Sequence, residues 1–269
     1  MTSASWPSPA PGAAPLTAMI TAQAGLETRV LLRNGEQLLL TLIIPVLLLV
    51  AFTLEPLVKV GQGPRVNFLV PGIMALAVIS TAFTSQAIAT GFERRYGVLK
   101  RLGATPLPRS GLIAAKTLTV LSVEAGQIVI IAAVGFALGW QPHGGAAGAA
   151  AAVLLVLAGT AAFSGLGLLL AGTLRAEATL AVANLIYLVL LGIGGVIFPL
   201  ARFPAGIRTV LTLLPSGALS DGLRSVLSGI HGSPARDLAV LVIWAAAAPA
   251  GPPCGCQPRA SPTTAMTAI

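Results

Sequence analysis

Apolar stretches of about 20 residues, the length that crosses a bilayer as a helix, recur along this chain and constrain its fold more than any other feature. They cover residues 37–54, 66–90, 111–138, 149–174 and 179–198, and another begins near Asp237. In hydrocarbon each backbone N–H and C=O must find its partner inside the protein, so runs of this length cross as helices. Only 9% of the 269 residues are charged and 55% are hydrophobic, with a mean hydropathy of +0.90; a soluble domain carries about 25% charged residues. The expected fold is an all-α integral membrane protein with about six transmembrane helices. The net charge of +8 would suggest nucleic acid as a partner in a soluble protein. Here the charge lies in short loops, so topology and the headgroups of membrane lipids account for it and no nucleic-acid partner is expected.

The densest block of charge is G-F-E-R-R-Y-G-V-L-K-R-L-G-A-T-P-L-P-R-S, residues 91–110, between two of the apolar runs. Read as a helix, it places Phe92, Tyr96, Leu99 and Gly103 on one stripe and Arg94, Arg95 and Arg101 off it, an amphipathic pattern suited to a membrane surface. Thr105-Pro106-Leu107-Pro108 then stops the helix. A basic loop that does no more than orient the protein reads the same way.

Within that block, E-R-R-Y-G-V-L-K-R-L-G-A-T-P-L-P-R resembles the loop after the second transmembrane helix of type-2 ABC transporter permeases, the drug, lipid and polysaccharide exporter group that includes daunorubicin-resistance-like proteins. Glu93, Arg94, Gly97, Leu99, Leu102, Thr105 and Pro106 stand at the matching positions. The resemblance implies that the segment is a coupling helix contacting a separate ATP-binding subunit, with Glu93, Arg94, Arg95, Gly97, Leu99, Lys100, Arg101 and Leu102 as its residues. It implies an interfacial helix ahead of the first span and short outer helices before the last one. Further along, L-L-P-S-G-A-L-S-D-G-L-R resembles a second run of the family at Pro215, Asp221 and Arg224, with Leu214 where asparagine is usual. The implied assembly is a homodimer or a heterodimer with a paralogue, in a bacterial cytoplasmic membrane, with ATP bound by the partner subunit and no cofactor bound by this chain.

The remaining polar residues divide into loops and spans. Residues 1–15 are rich in Ser, Ala and Pro and read as a disordered leader; residues 16–34 can form an amphipathic helix carrying Glu27, Arg29 and Arg33. Pro45 falls inside the first span and predicts a kink whose carbonyl a neighbouring helix must satisfy. The second span carries Ser80, Thr81, Thr84, Ser85 and Gln86. These groups either bond neighbouring helices or, with Asn184 and Tyr187 of the fifth span, line a substrate path. Glu124 and Gln127 lie deep in the third span. An ionisable residue there marks a functional site by default, and a carboxyl bonded to the next helix is the plainer alternative. Lys116 is placed to extend toward the headgroups. His143 reads as a loop residue. Residues 199–233, broken by Pro204 and Pro215, read as two short helices resting in the outer interface.

With the amino terminus inside, Arg29, Arg33, Arg94, Arg95, Lys100, Arg101, Arg109, Lys116 and Arg175 face the cytoplasm, nine against the six of Lys59, Arg65, Arg202, Arg208, Arg224 and Arg236. The block at 91–110 alone holds five Lys or Arg in a short loop, which favours that orientation. No glycine-rich phosphate loop is present; Ser110-Gly-Leu-Ile-Ala-Ala-Lys116-Thr117 lacks both required glycines. ATP hydrolysis is therefore expected from another chain. No metal cluster is expected, and Cys254 and Cys256 suggest neither a disulfide framework nor a metal site. The permease region is expected over residues 16–248. Residues 249–269, with Pro249, Pro252 and Pro253 at their start, read as an atypical tail that a shifted reading frame would explain. Two other functions fit the residues: an ion-coupled secondary transporter using Glu124, and a membrane-embedded scaffold without transport.

Overall fold

Among the residues described by the computed structural model, 14–35, 39–54, 64–102, 107–196, 204–229 and 232–248, every regular element is helical. Helix α1 is Leu16–Arg33. A π-helical turn, Leu39–Ile43, runs into the α-helical Ile44–Leu54 to form α2. Helix α3 is the unbroken Arg65–Arg95, with a π-helical segment at Ile79–Ser85. The short α4, Val98–Leu102, follows. Then come α5 (Arg109–Ala137), α6 (Gly145–Thr173), α7 (Ala176–Ile193), α8 (Ala205–Leu213), α9 (Pro215–Leu227) and α10 (Pro234–Ala247). Among the described residues, four helices are long and apolar enough to cross a membrane: α3, α5, α6 and α7. The shorter α2 and α10 occupy the expected places of the first and sixth spans. The 14 residues of α10 rise about 21 Å at about 1.5 Å each, against a hydrocarbon core of about 30 Å. The tail from residue 249 lies outside the described residues, as do most of the leader and residues 103–106 of the loop.

Helix α3 is the centre of the bundle. Of its most apolar window 94% is buried inside the chain, against 28%, 39% and 17% for α5, α6 and α7. Those three therefore keep broad faces for lipid or for another chain. Ile73, Leu76 and Ile79 of α3 pack with Leu155 and Phe163 of α6, Leu219 and Leu223 of α9 and Leu241 of α10, all fully buried. Phe83 meets Phe163 edge-on at 6.5 Å between centroids. At Gly167 a β-carbon would lie 2.9 Å from the Phe83 carbonyl oxygen, so glycine is what lets α6 sit directly on the π segment of α3.

Two prolines inside spans each withhold a backbone donor, and side chains supply it. The N–H missing at Pro45 is answered by Gln127 of α5, whose Nε2 donates to the Thr41 carbonyl. The N–H missing at Pro71 is answered by Ser228, whose hydroxyl donates to the Asn67 carbonyl. The expectation that a neighbour would satisfy the carbonyl at Pro45 is met.

One placement differs from that expected, and two others are specified more closely than the sequence allowed. Helix α1 turns Ile20, Gln23, Ala24 and Glu27 toward the protein and leaves Leu26, Val30 and Leu32 exposed, because Glu27 has a cation to meet on α5. The amphipathic helix expected from Phe92 to Gly103 is interrupted: α3 continues to Arg95, and Gly97, at φ 72°, turns the chain before α4. Helix α9, one of the two short helices expected before the last span, is buried against α3, α6 and α10. Its anchor is Arg224, 2% exposed. The Arg224 guanidinium donates to the carbonyls of Val196 at 2.6 Å and Phe68 at 3.3 Å, and lies 3.7 Å over the Phe68 ring. Asp221 completes the site at 3.5 Å.

Candidate functional site

The sequence pattern points to the end of α3, and there three successive side chains reach three different helices. Successive residues of a helix project about 100° apart, so Glu93, Arg94 and Arg95 cannot share a neighbour. Glu93 Oε1 accepts from Lys116 Nζ of α5 at 2.8 Å, and its Oε2 lies 2.7 Å from the same ammonium as an ion pair. Lys116 also lies 3.7 Å from Glu27 of α1. It is 8% exposed, a buried cation between two carboxylates rather than one that extends to the headgroups. Arg94 donates to the carbonyls of Gly172 and Leu174 at the end of α6. The last carbonyls of a helix have no partner within it and carry the negative end of its dipole, which a guanidinium fork matches well. Arg95 pairs with Glu177 in the first turn of α7, where a carboxylate suits the helix N-terminus. That pair is about half exposed, so it contributes little stability and serves to orient.

The end of α3 is thereby tied to α1, α5, α6 and α7. At Gly91 α3 lies beside α7, where a β-carbon would make ordinary contact with Thr179 at 3.5 Å. Gly97 is needed for its backbone and not for space, since nothing lies within 4 Å of its β-carbon position; φ of 72° favours glycine over any side chain. Phe92 stacks on Tyr96 at 6.1 Å, and Arg95 lies 5.8 Å over the same Tyr96 ring. In α4, Arg101 is exposed and Leu102 half-buried. The side chains of Leu99 and Lys100 lie outside the described residues.

The residues considered for a substrate path separate into two groups. Gln127 is wholly engaged: its oxygen accepts from Thr81 at 2.7 Å and its nitrogen donates to Thr41. Glu124 is 1% exposed and accepts from Thr160 of α6 at 2.6 Å. Gln127 serves helix contacts; Glu124 binds the next helix through Oε2, while its Oε1 is buried without a hydrogen-bond partner. Ser80 is buried and Asn184 half-buried. The hydroxyls of Thr84 and Tyr187 and the carbonyl oxygen of Gln86 are buried without a hydrogen-bond partner. Thr90 and Ser164, which the sequence did not single out for this role, present unpartnered hydroxyls on the same elements, α3 and α6. Buried polar atoms ordinarily find partners; Glu124 Oε1 on α5, Ser216 Oγ on α9 and Trp140 Nε1 lack them as well, so the group on α3, α6 and α7 is the largest on neighbouring spans but not alone. Sequence reasoning also passed over Glu27, Glu177 and the pairing of Lys116. One signal was present for Glu177: the charged turn Arg175-Ala-Glu177 lies on the side of the membrane assigned to Arg95.

An all-α bundle built on one central span, with a charged junction at one end tying four helices together, defines the membrane-embedded part of a transporter. The family described as ABC-2 type transporter matches residues 24–228, and the chain belongs to that family. It is the permease component of an ABC-type transporter, and membership implies an ABC ATP-binding subunit as its partner. No curated protein matches the chain.

Proposed function

We propose that this chain is the permease subunit of an ATP-binding-cassette exporter that moves an amphipathic small molecule, a drug or a lipid-like compound out across a bacterial cytoplasmic membrane. Two copies, or this chain and a paralogue, form the path. Paired ATP-binding subunits sit beneath residues 93–102 and hydrolyse the ATP. The observation that carries the reading is the triple attachment of Glu93, Arg94 and Arg95 to α5, α6 and α7. A displacement of α4 by a partner acts on the whole bundle through that junction. The transition is a two-state repacking of helices between inward-facing and outward-facing arrangements. The amino terminus lies in the cytoplasm. Substrate meets apolar walls and the unpartnered hydroxyls of Thr84, Thr90, Ser164 and Tyr187.

The test is purification of the tagged full chain in mild detergent from its own membranes. A soluble ATP-binding protein is expected to accompany it. Arg101→Glu reverses an exposed charge on α4 and is expected to abolish that capture while the permease stays folded. Arg94→Glu is expected to lower the melting point as well, because it removes the donor to the end of α6. A stable permease with no ATP-binding partner would sink the reading, and undiminished capture by Arg101→Glu would remove α4 from the contact.

A further inference from the structure

One carboxamide bridges the two π-helical segments of the bundle. Gln127 of α5 is 3% exposed. Its Oε1 accepts from Thr81, which lies in the π segment Ile79–Ser85 of the second span. Its Nε2 donates to the carbonyl of Thr41, which lies in the π turn Leu39–Ile43 of the first span. A π turn holds one residue more than an α turn and can pass that residue along the helix. In α3 this slack sits midway between the charged junction at residues 93–95 and the outer end. A push on the junction could be absorbed there and never reach the first span.

We propose that Gln127 is a positioning residue of the transport cycle, which pins both π segments to α5 so that the first and second spans move with the junction instead of slipping past it. Both ends of the side chain are committed inside the core, where an amide left without partners is strongly disfavoured. Each π segment is therefore held to α5 by its own bond, and the two are coupled only through this one side chain. Pro45 is part of the device, since it withholds the backbone donor that would otherwise serve the Thr41 carbonyl and leaves that place to Gln127. The proposal rests on the exporter reading for its function, but not for its geometry.

Hydrogen exchange on the full chain in detergent tests the geometry. Gln127→Met keeps the shape and removes both bonds; exchange is expected to quicken about five- to tenfold in residues 39–43 and in residues 79–85, the factor set by losing one ordinary hydrogen bond at each. Thr81→Val, the milder variant, should quicken 79–85 and leave 39–43 unchanged. Adding Pro45→Ala to Gln127→Met returns a backbone donor, so protection should recover at 39–43 and not at 79–85. The bridge is refuted if Gln127→Met leaves either segment unchanged, or if Thr81→Val loosens both alike. With the copurified ATP-binding subunit present, Gln127→Met should slow ATP turnover at least about fivefold, the effect of roughly one hydrogen bond, while capturing the same amount of that subunit. Pro45→Ala should restore part of the rate. Unchanged turnover would refute the positioning role. If the unmodified chain captures no such subunit, the exporter reading fails, and the exchange pattern still decides the bridge.

Discussion

Lys116 shows how one side chain can hold a junction together. It is the only cation near Glu93 and Glu27 among the ion pairs described, and it lies largely buried between them. Replacing it by methionine leaves two carboxylates facing each other with 22% and 17% of their side chains exposed. The expected loss is about 1–3 kcal/mol, less than for a fully buried pair because water still reaches both acids. Adding Glu93→Gln to Lys116→Met should recover part of it, and thermal melts of the four proteins of that cycle check the coupling. Additive losses would mean that the two residues do not act on each other. Such pairings were not legible beforehand. A lysine near the end of an apolar run reads as one that extends to the headgroups, and nothing local shows that an acid 23 residues earlier and another on α1 converge on it. What a sequence displays is residue type and spacing along one helix. Convergence is a property of packing.

At the scale of elements, the packing of α9 is what the sequence displayed least, and its cause is chemical. A segment with Asp221, Arg224 and three serines reads as too polar for a membrane core. Yet its neighbours come close because the contacts are small: a β-carbon on Gly222 would lie 3.1 Å from Leu155, and one on Gly159 would lie 3.0 Å from Leu219. The one large cation donates from two of its three nitrogens to backbone carbonyls, with the third beside Asp221, an arrangement that no side-chain pattern reveals. Gly72 clears the place for it, since a β-carbon there would fall 2.4 Å from the Val196 oxygen and 2.6 Å from Arg224 Nη2. Gly72→Ala is therefore expected to lower stability by about 1–3 kcal/mol, as overpacking does where backbone cannot yield. Arg224→Lys keeps the charge beside Asp221 but loses the fork and the stacking on Phe68, and should cost a similar amount. Hydrogen exchange confined to α9 measures both; loosening spread evenly over the bundle would show that Arg224 does not seat this helix in particular. By contrast, the long helices α3, α5, α6 and α7 were legible at once, since length and apolarity alone dictate them.

Across the whole molecule the two ends are built differently, and the difference carries the orientation. The end where α3 stops and α7 starts displays Arg95, Arg101 and Arg175 in exposed positions, around the buried pairs of Lys116. The loop at the other end, residues 138–144 between α5 and α6, has no lysine or arginine. It is fastened by backbone bonds, His143 N–H to the Leu227 carbonyl and Gln141 N–H to Asn67, and by Trp140 packed on Phe136 at 5.0 Å. Short loops rich in Lys and Arg stay in the cytoplasm, and aromatic residues gather at the membrane interface. The end bearing Arg101 is thus expected to be cytoplasmic and the one bearing Gln141 outside. The total of nine inward against six outward charges argues this weakly. The comparison of these short loops argues it more strongly, because arginines such as Arg224 are consumed inside the bundle and do not act on topology. With Cys254 and Cys256 replaced by serine, a cysteine at exposed Gln141 should react with a membrane-impermeant maleimide on intact cells. A cysteine at exposed Arg101 should react only after the membrane is opened. The reverse pattern would place residues 93–102 on the outer face, beyond reach of any ATP-binding subunit in the cytoplasm, and the coupling role of the junction would fall with the orientation.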